Sequence, residues 1–185
     1  ELTHANFVFI TYSGVNSMPD IAMKPNRRLL LFLPLAHVFA RYMQFFCFAG
    51  NVSLGLSSNL KTILADFKAF KPTFILAVPR IFEKIYNAAS QKAGAGFKGR
   101  VFADATQTAY DWSHAQQSGG SIPLALNAKH ALYNKLVYSS IMEVFGGHVE
   151  YAVSGGAPLD SSIAHFFNGV GLPLLEGYGM TETCA

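Results

Sequence analysis

The chain has 185 residues, of which 51% are hydrophobic, and this is enough to bury one hydrophobic core. Charged residues make up 14% and the formal net charge is +3. Because no run of Lys and Arg marks a nucleic-acid surface, the composition argues against a nucleic-acid partner. Cys47 and Cys184 are isolated, without metal-ligand spacing, which indicates a buried thiol at Cys47 and a reducing, cytoplasmic environment.

The most hydrophobic stretch, residues 29–50, is interrupted by Pro34, His37, Arg41 and Gln44. A membrane-spanning helix rarely contains so many polar breaks, so we predict a strand, a turn and a helix. The continuous apolar run 29–33 is typical of a strand buried on both faces. His37 stands at the strand-to-helix turn, where the residues alone leave two interpretations open: a functional group, or a histidine that bonds the first turn of the helix.

Strands and helices alternate along the rest of the chain. The sequence predicts a helix capped by Thr3 and ending near Ser17, further strands at 51–56, 73–78, 149–153 and 172–175, and helices at 60–70, 97–117, 124–144 and 161–168, besides one that opens at Pro79. This order predicts right-handed βαβ units, and therefore an α/β fold with a doubly wound, mainly parallel sheet flanked by helices.

Three helices are expected to bury one face each, because their apolar residues recur at helical spacing. His114 and His130, which lie on two of these helices, are interpreted as solvated or core-edge residues, and Asp160 or Ser161 as the cap of the helix that follows it. The expected inward residues are Ile63, Leu64, Phe67 and Phe70 in the first helix, Phe102, Ala105, Ala109 and Trp112 in the second, and Leu132, Leu136 and Ile141 in the third.

Two turns of small residues near the end of the chain each follow an apolar strand. One reads Ser-Gly-Gly-Ala-Pro-Leu over 154–159, and the other reads Glu-Gly-Tyr-Gly-Met-Thr-Glu-Thr over 176–183. Glycine lets a ligand approach the backbone closely, and ligands of open α/β sheets bind beyond the carboxyl ends of the strands. The Tyr178 ring suits stacking on a base, the Thr181 hydroxyl suits a phosphate oxygen, and the Glu182 carboxylate suits Mg²⁺. Plain tight turns and a helix N-terminus are the alternative interpretations.

These motifs resemble those of a known family. The Tyr-Gly-Met-Thr-Glu block at 178–182 resembles the YG-x-TE signature of acyl-adenylate-forming enzymes, and residues 154–159 resemble their adenine-side loop. Residues 34–37 resemble the P-L-x-H motif of that family, and Val-Pro-Arg at 78–80 occurs there after a strand. The long helical segment between these last residues and the glycine loop resembles that of long-chain fatty acyl-CoA synthetases.

The resemblance implies an enzyme that joins a fatty acid to the α-phosphate of ATP and then passes the acyl group to CoA, with AMP and pyrophosphate as products and Mg²⁺ as cofactor. It implies that Thr181 bonds the α-phosphate, that Glu182 holds the metal and that His37 borders the acyl pocket. It also implies that Val38, Arg41 and Gly156 contact the substrate. In some members an aromatic residue gates the fatty-acid tunnel at the position of Arg41, and this chain departs from them there. The nucleotide-binding residues it implies are Gly155, Gly156, Ala157, Pro158, Glu176, Gly177, Tyr178, Gly179 and Thr181.

The resemblance also implies that residues 1–185 are an internal part of the larger N-terminal domain of such enzymes. The phosphate loop, the hinge and the C-terminal domain of the family have no counterpart in these residues, so we expect the chain alone to be catalytically inactive. Peripheral membrane association and a homodimer are further expectations. Two alternatives are a non-catalytic nucleotide- or acyl-binding module of the same fold, and a dinucleotide-binding oxidoreductase. The absence of a GxGxxG fingerprint argues against the second.

Overall fold

The computed structural model describes residues 1–119 and 121–185, which form alternating helices and strands. The first part contains α1 (His4–Ser17), α2 (Pro19–Ala22), β1 (Arg27–Leu31), α3 (Val38–Ala49), β2 (Val52–Leu56), α4 (Ile63–Phe70), β3 (Phe74–Ala77) and α5 (Pro79–Ala93). The second contains α6 (Phe97–Gln117), α7 (Leu124–Tyr133), a π-helical turn (Asn134–Tyr138), α8 (Ser139–Val144), β4 (Tyr151–Gly155), α9 (Ser161–Val170), β5 (Leu174–Gly177) and a 3₁₀ turn (Thr181–Thr183).

The five strands form one parallel sheet in the order β2-β1-β3-β4-β5. This confirms the predicted fold class. Two hydrophobic clusters cover the two faces: α1 and α3 pack on one face, and α4 to α9 pack on the other. All four residues of β3, in the middle of the sheet, are buried. None of the described helices has the length and hydrophobicity that a crossing of a lipid bilayer requires.

Strand β1 begins two residues earlier than predicted, at Arg27, and ends at Leu31. Arg27 is buried, and it is accepted in the strand because its guanidinium forms a 2.8 Å ion pair with Glu150 and donates to the carbonyl of Asp20. A charge is stable at a buried position only when it is paired and hydrogen-bonded in this way. The apolar run that indicated the strand therefore marks its apolar part and misses the two arginines at its start, of which Arg27 is buried.

The predicted helix at 97–117 is confirmed as α6, but the faces of two other helices are predicted wrongly. Leu64 of α4 is 45% exposed, although Ile63 and Phe67 are buried. The predicted helix 124–144 contains the π-helical turn, whose extra residue shifts the phase of the helix. Leu132 and Leu136 face outward at 55% and 60% exposure, against the prediction, whereas Ile141 is buried as predicted, together with Tyr133 and Tyr138.

The two tyrosines of the inward face are buried with their hydroxyl groups satisfied. Tyr138 donates to the carbonyl of Ala105 at 2.7 Å, and Tyr133 donates to the carboxylate of Asp104, which also accepts from Lys129 at 2.8 Å. These hydrogen bonds lower the pKa of Asp104, with Lys129 as the main cause. A tyrosine can occupy a core position when its hydroxyl group has a hydrogen-bond partner in this way.

Both cysteines are buried, which confirms the expectation for Cys47. Burial raises the pKa of Cys47 to about 12 and raises that of Cys184 as well. Since the thiolate is the nucleophile, a thiol of that pKa is ionised in roughly one molecule in 10⁴ at about pH 8. We expect Ellman's reagent to label neither cysteine of the native protein within minutes and both after denaturation in guanidinium. Rapid labelling of the native protein would contradict the burial of these thiols.

Candidate functional site

The carboxyl ends of the strands bring the predicted motifs to one edge of the sheet. Residues 34–37 follow β1, Val-Pro-Arg at 78–80 follows β3, the glycine loop 155–159 begins at the last residue of β4, and the Tyr178–Glu182 segment follows β5. Since all strands are parallel, these four segments lie on the same side. From β1 the chain continues to β2 on one side of the sheet, and from β3 it continues to β4 and β5 on the other side. The topological switch point, where the direction of strand addition reverses, therefore lies between β1 and β3. Ligands of open α/β sheets bind in the crevice at such a point.

The glycine loop has two positions where a side chain would not fit. A Cβ on Gly155 would lie 2.8 Å from the ring of Phe39, which packs from α3 against the end of β4. Gly156 has a φ of +82°, in the left-handed region that disfavours other residues. Gly155 is also in register with Gly177 of β5. The two glycine turns therefore meet side by side: Gly155 is buried against Phe39, whereas Gly156 and Gly177 are exposed and leave their backbone open to a ligand.

Glu176 joins the two turns directly. Its Oε1 atom accepts a hydrogen bond from the backbone N–H of Leu159 at 3.1 Å, and Glu176 itself lies in register with Ser154. The carboxylate thus fixes the far end of the glycine loop to β5. Asp160 then caps α9: the hydroxyl and the N–H of Ser162 donate to its carboxylate and lower its pKa. This confirms the capping role that the sequence indicated for Asp160 as one of two candidates.

The Tyr178–Glu182 segment leaves its functional groups open to solvent. The Tyr178 ring is 90% exposed, and Thr181 and Glu182 are exposed in the 3₁₀ turn. Within the described residues, no three His, Cys, Asp or Glu side chains gather in a way that could hold a metal ion by themselves. An exposed carboxylate such as Glu182 fits Mg²⁺ in another way, since this ion is commonly bound by one or two carboxylates together with substrate phosphates and water.

His37 is the N-cap of α3. Its Nδ1 atom accepts the backbone N–H of Phe39 at 3.3 Å, so in the neutral ring the proton is on Nε2. This hydrogen bond agrees with the interpretation of His37 as a residue that bonds the first turn of the helix. A functional role stays possible as well, because Nε2–H is not used by this bond and can donate to a ligand. Arg80 is exposed at the start of α5, as the residues alone indicated.

A cavity of about 700 Å³ lies beside this edge, between α1, α3 and the 3₁₀ turn. It brings together three of the predicted site residues, Val38, Arg41 and Thr181, although His37, Gly156 and Glu182 do not line it. The α1 side of the cavity was missed by the sequence reasoning, because its contact with α3 is made only in the tertiary structure. The missed lining residues are Glu1, Leu2, Thr3, His4, Phe7, Leu35, Ala36 and Phe45.

Ser154 is the first residue of the predicted loop motif, but the sequence reasoning gave its hydroxyl no role. Ser154 is fully buried at the end of β4, and its Oγ atom has no hydrogen-bond partner in the part of the chain that the structure describes. Such a group carries a desolvation penalty, which a ligand or a water molecule would relieve. Its position directly before Gly155 places it under the glycine loop.

Comparison with known proteins decides the family. The sequence profile of the AMP-binding enzymes matches residues 1–185. The chain belongs to the AMP-binding enzyme family. It is 45% identical over 183 residues to the long-chain-fatty-acid–CoA ligase FadD15 of Mycobacterium bovis, covering 99% of this chain and 30% of that protein. It is 34% identical over 157 residues to long chain acyl-CoA synthetase 3 of Arabidopsis thaliana, covering 84% of this chain and 23% of that protein.

The fold of this AMP-binding enzyme chain is also found in a solved structure. O-succinylbenzoate coenzyme A synthetase from Bacillus subtilis, in complex with ATP and magnesium ion, superposes with a TM-score of 0.58 at 17% identity. The match covers 99% of this chain and 27% of that one. The chain therefore spans less than a third of the length of each of these three relatives.

Proposed function

We propose that this chain is part of the adenylation domain of a long-chain fatty acid–CoA ligase that acts through an acyl-adenylate. The observation that carries the proposal is the position of Thr181, in the Thr-Glu turn, in the lining of a cavity of about 700 Å³ that Val38 and Arg41 also line. A cavity of this size is typical of a small-molecule site. The similarity to FadD15 of Mycobacterium bovis supports a long fatty acid as the substrate.

In the proposed reaction, a carboxylate oxygen of the fatty acid attacks the α-phosphorus of ATP, and the bond to pyrophosphate breaks. The CoA sulfur then attacks the acyl carbonyl, and AMP leaves. The fatty acid supplies the nucleophile, so the protein contributes mainly orientation and charge stabilisation. The buried Gly155 lets the loop pack closely on Phe39, and the exposed Gly156 presents its backbone to the adenine and the acyl carbonyl. The Tyr178 ring packs on the adenine, and the Thr181 hydroxyl bonds the α-phosphate.

Glu182 and Glu176 supply the two carboxylates of the site. Glu182 would hold Mg²⁺, which supplies charge neutralisation on the phosphates when bound. One oxygen of Glu176 already accepts the N–H of Leu159, and its second oxygen is left for the adenine amino group. The Nε2–H of His37, which does not line the cavity, would serve as a donor at its border. Peripheral membrane association, a homodimer and a cytoplasmic location stay predictions of the same proposal.

The test is a thioester assay on the complete protein that contains these residues. We expect ATP-dependent formation of palmitoyl-CoA from palmitate and CoA, with one AMP and one pyrophosphate released per thioester. Short acids such as acetate serve as the control and are expected to react far more slowly. A complete protein that binds ATP but makes no thioester with fatty acids would contradict the ligase proposal and favour the binding module.

A further inference from the structure

One guanidinium stands in the otherwise apolar helical wall of the cavity. Val38, Arg41 and Phe45 lie on successive turns of the same face of α3, and all three line the cavity. Phe7 of α1 faces them, with its ring 5.4 Å from that of Phe45. Apolar side chains beside a cation favour an amphiphile, that is, a ligand with a long apolar part and an anionic head.

The guanidinium of Arg41 is held in place but not neutralised. Its Nη1 atom donates to Oε1 of Gln44 at 3.0 Å, a hydrogen bond between residues three apart on α3. Among residues 1–119 and 121–185, no carboxylate forms an ion pair with Arg41. Glu1 and His4 line the α1 side of the same cavity and are the other titratable groups there. Since a guanidinium carries five N–H donors, most of them remain open to a ligand.

The direction of α3 orders these groups along the cavity. The helix begins at the edge of the sheet, where Phe39 touches the glycine loop, and runs away from it. With a rise of about 1.5 Å per residue, Arg41 lies roughly 4.5 Å beyond Val38, and Phe45 lies roughly 6 Å further. Arg41 is therefore close to the edge that carries the Thr181 turn, and the Phe7–Phe45 pair closes the apolar end.

We propose that Arg41 binds the carboxylate of the acyl substrate and selects an anionic amphiphile over a neutral one, and that Gln44 is a positioning residue for its guanidinium. The planar fork of arginine matches a carboxylate through two parallel hydrogen bonds. The inference rests on the proposed function, since it assumes that the cavity takes a fatty acid. The phosphate groups of ATP are the rival anion for the same guanidinium, and the test below separates the two.

The experiment compares two ligands of equal chain length, dodecanoate and 1-dodecanol, by calorimetric titration of the complete protein. We expect Arg41→Met to weaken dodecanoate binding by about 10-fold to 100-fold, the loss of a charged hydrogen bond. The affinities of Arg41→Met for 1-dodecanol and for ATP should stay within about twofold of those of the unmodified protein, because neither ligand uses this contact in the proposal. Arg100→Met, at an exposed position of α6, is the matched control and should change none of the three affinities.

Two further variants keep the inference testable if Arg41→Met misfolds. Arg41→Lys retains the charge but loses the fork, and should lower dodecanoate affinity by a smaller factor. Gln44→Ala should lower the ratio of dodecanoate to dodecanol affinity without abolishing it, whereas a merely structural role would weaken both ligands equally. Equal losses for both ligands, a loss confined to ATP, or no change would each overturn the inference.

The thioester assay keeps this inference separate from the proposed function. If the complete protein makes palmitoyl-CoA and Arg41→Met leaves the dodecanoate-to-dodecanol ratio unchanged, the inference fails while the ligase function stands. If the complete protein makes no thioester but Arg41→Met abolishes the preference for dodecanoate, the ligase function fails and the acyl-carboxylate role of Arg41 stands. Failure to bind either dodecanoate or dodecanol would contradict the inference itself.

Discussion

If the complete protein is the proposed ligase, replacing Glu182 by alanine is expected to lower its acyl-adenylate formation by roughly 100-fold or more. This is the usual effect of removing a group that stabilises charge in the transition state. Glu182 is exposed in the 3₁₀ turn, on the side of the sheet where the strands end. We propose that it is the protein's carboxylate for Mg²⁺, so without it the negative charge on the reacting phosphates is less well neutralised. Exchange of pyrophosphate with ATP, dependent on palmitate, measures this step without CoA.

The controls separate a role in the reaction from a role in folding. The Glu182 side chain forms no hydrogen bond or ion pair with the other described residues, so the urea midpoint should not change. Glu143→Ala, at an exposed position of α8, removes an equal charge far from the site and should keep the full rate. Raising the Mg²⁺ concentration should recover part of the activity of Glu182→Ala. If Glu182→Ala has full activity without any rise in the Mg²⁺ concentration, Glu182 does not hold the metal.

The sheet and its loops were predictable from the sequence because their signals are local. A buried parallel strand is a continuous apolar run, and the turn that follows it contains glycine wherever the backbone has a positive φ or a close neighbour. Gly155 and Gly156 meet these two conditions, one through the Phe39 ring and one through its φ of +82°. The positions of Thr3 and Asp160 as helix caps are local in the same sense.

The faces of the outer helices were not predictable in this way, because they depend on partners far along the chain. The hydroxyl groups of Tyr133 and Tyr138 can point inward because α6 supplies the Asp104 carboxylate and the Ala105 carbonyl as acceptors. The π-helical turn between them changes the phase of the helix, and no simple periodicity reveals it. The α1 side of the cavity was missed for the same reason: the pair of Phe7 and Phe45 joins residues that only the fold brings together.

Substituting Gly169 by alanine is expected to destabilise the protein by about 3 kcal/mol, at the upper end of overpacking effects. Helices α6 and α9 cross at this glycine, and a Cβ there would lie 2.0 Å from the carbonyl oxygen of Ala109 and 2.5 Å from its carbon. These are backbone atoms of a fully buried residue, so no side chain can rotate away and the helices must separate. For a chain of this size the change corresponds to a loss of roughly 6–12 °C in Tm.

The effect of Gly169→Ala should reach the site, because α9 connects the glycine loop to β5. The Gly169 carbonyl accepts a 2.5 Å hydrogen bond from Nε2 of His130, so three helices meet at this residue and shift together. Gly96→Ala is the control: no atom lies within 4 Å of its Cβ position, and alanine there should cost less than about 1 kcal/mol as a poorer helix cap. Urea unfolding of both variants measures the difference. If Gly169→Ala costs no more than Gly96→Ala, the close crossing of α6 and α9 is wrong, and with it the support that α9 gives to the loop.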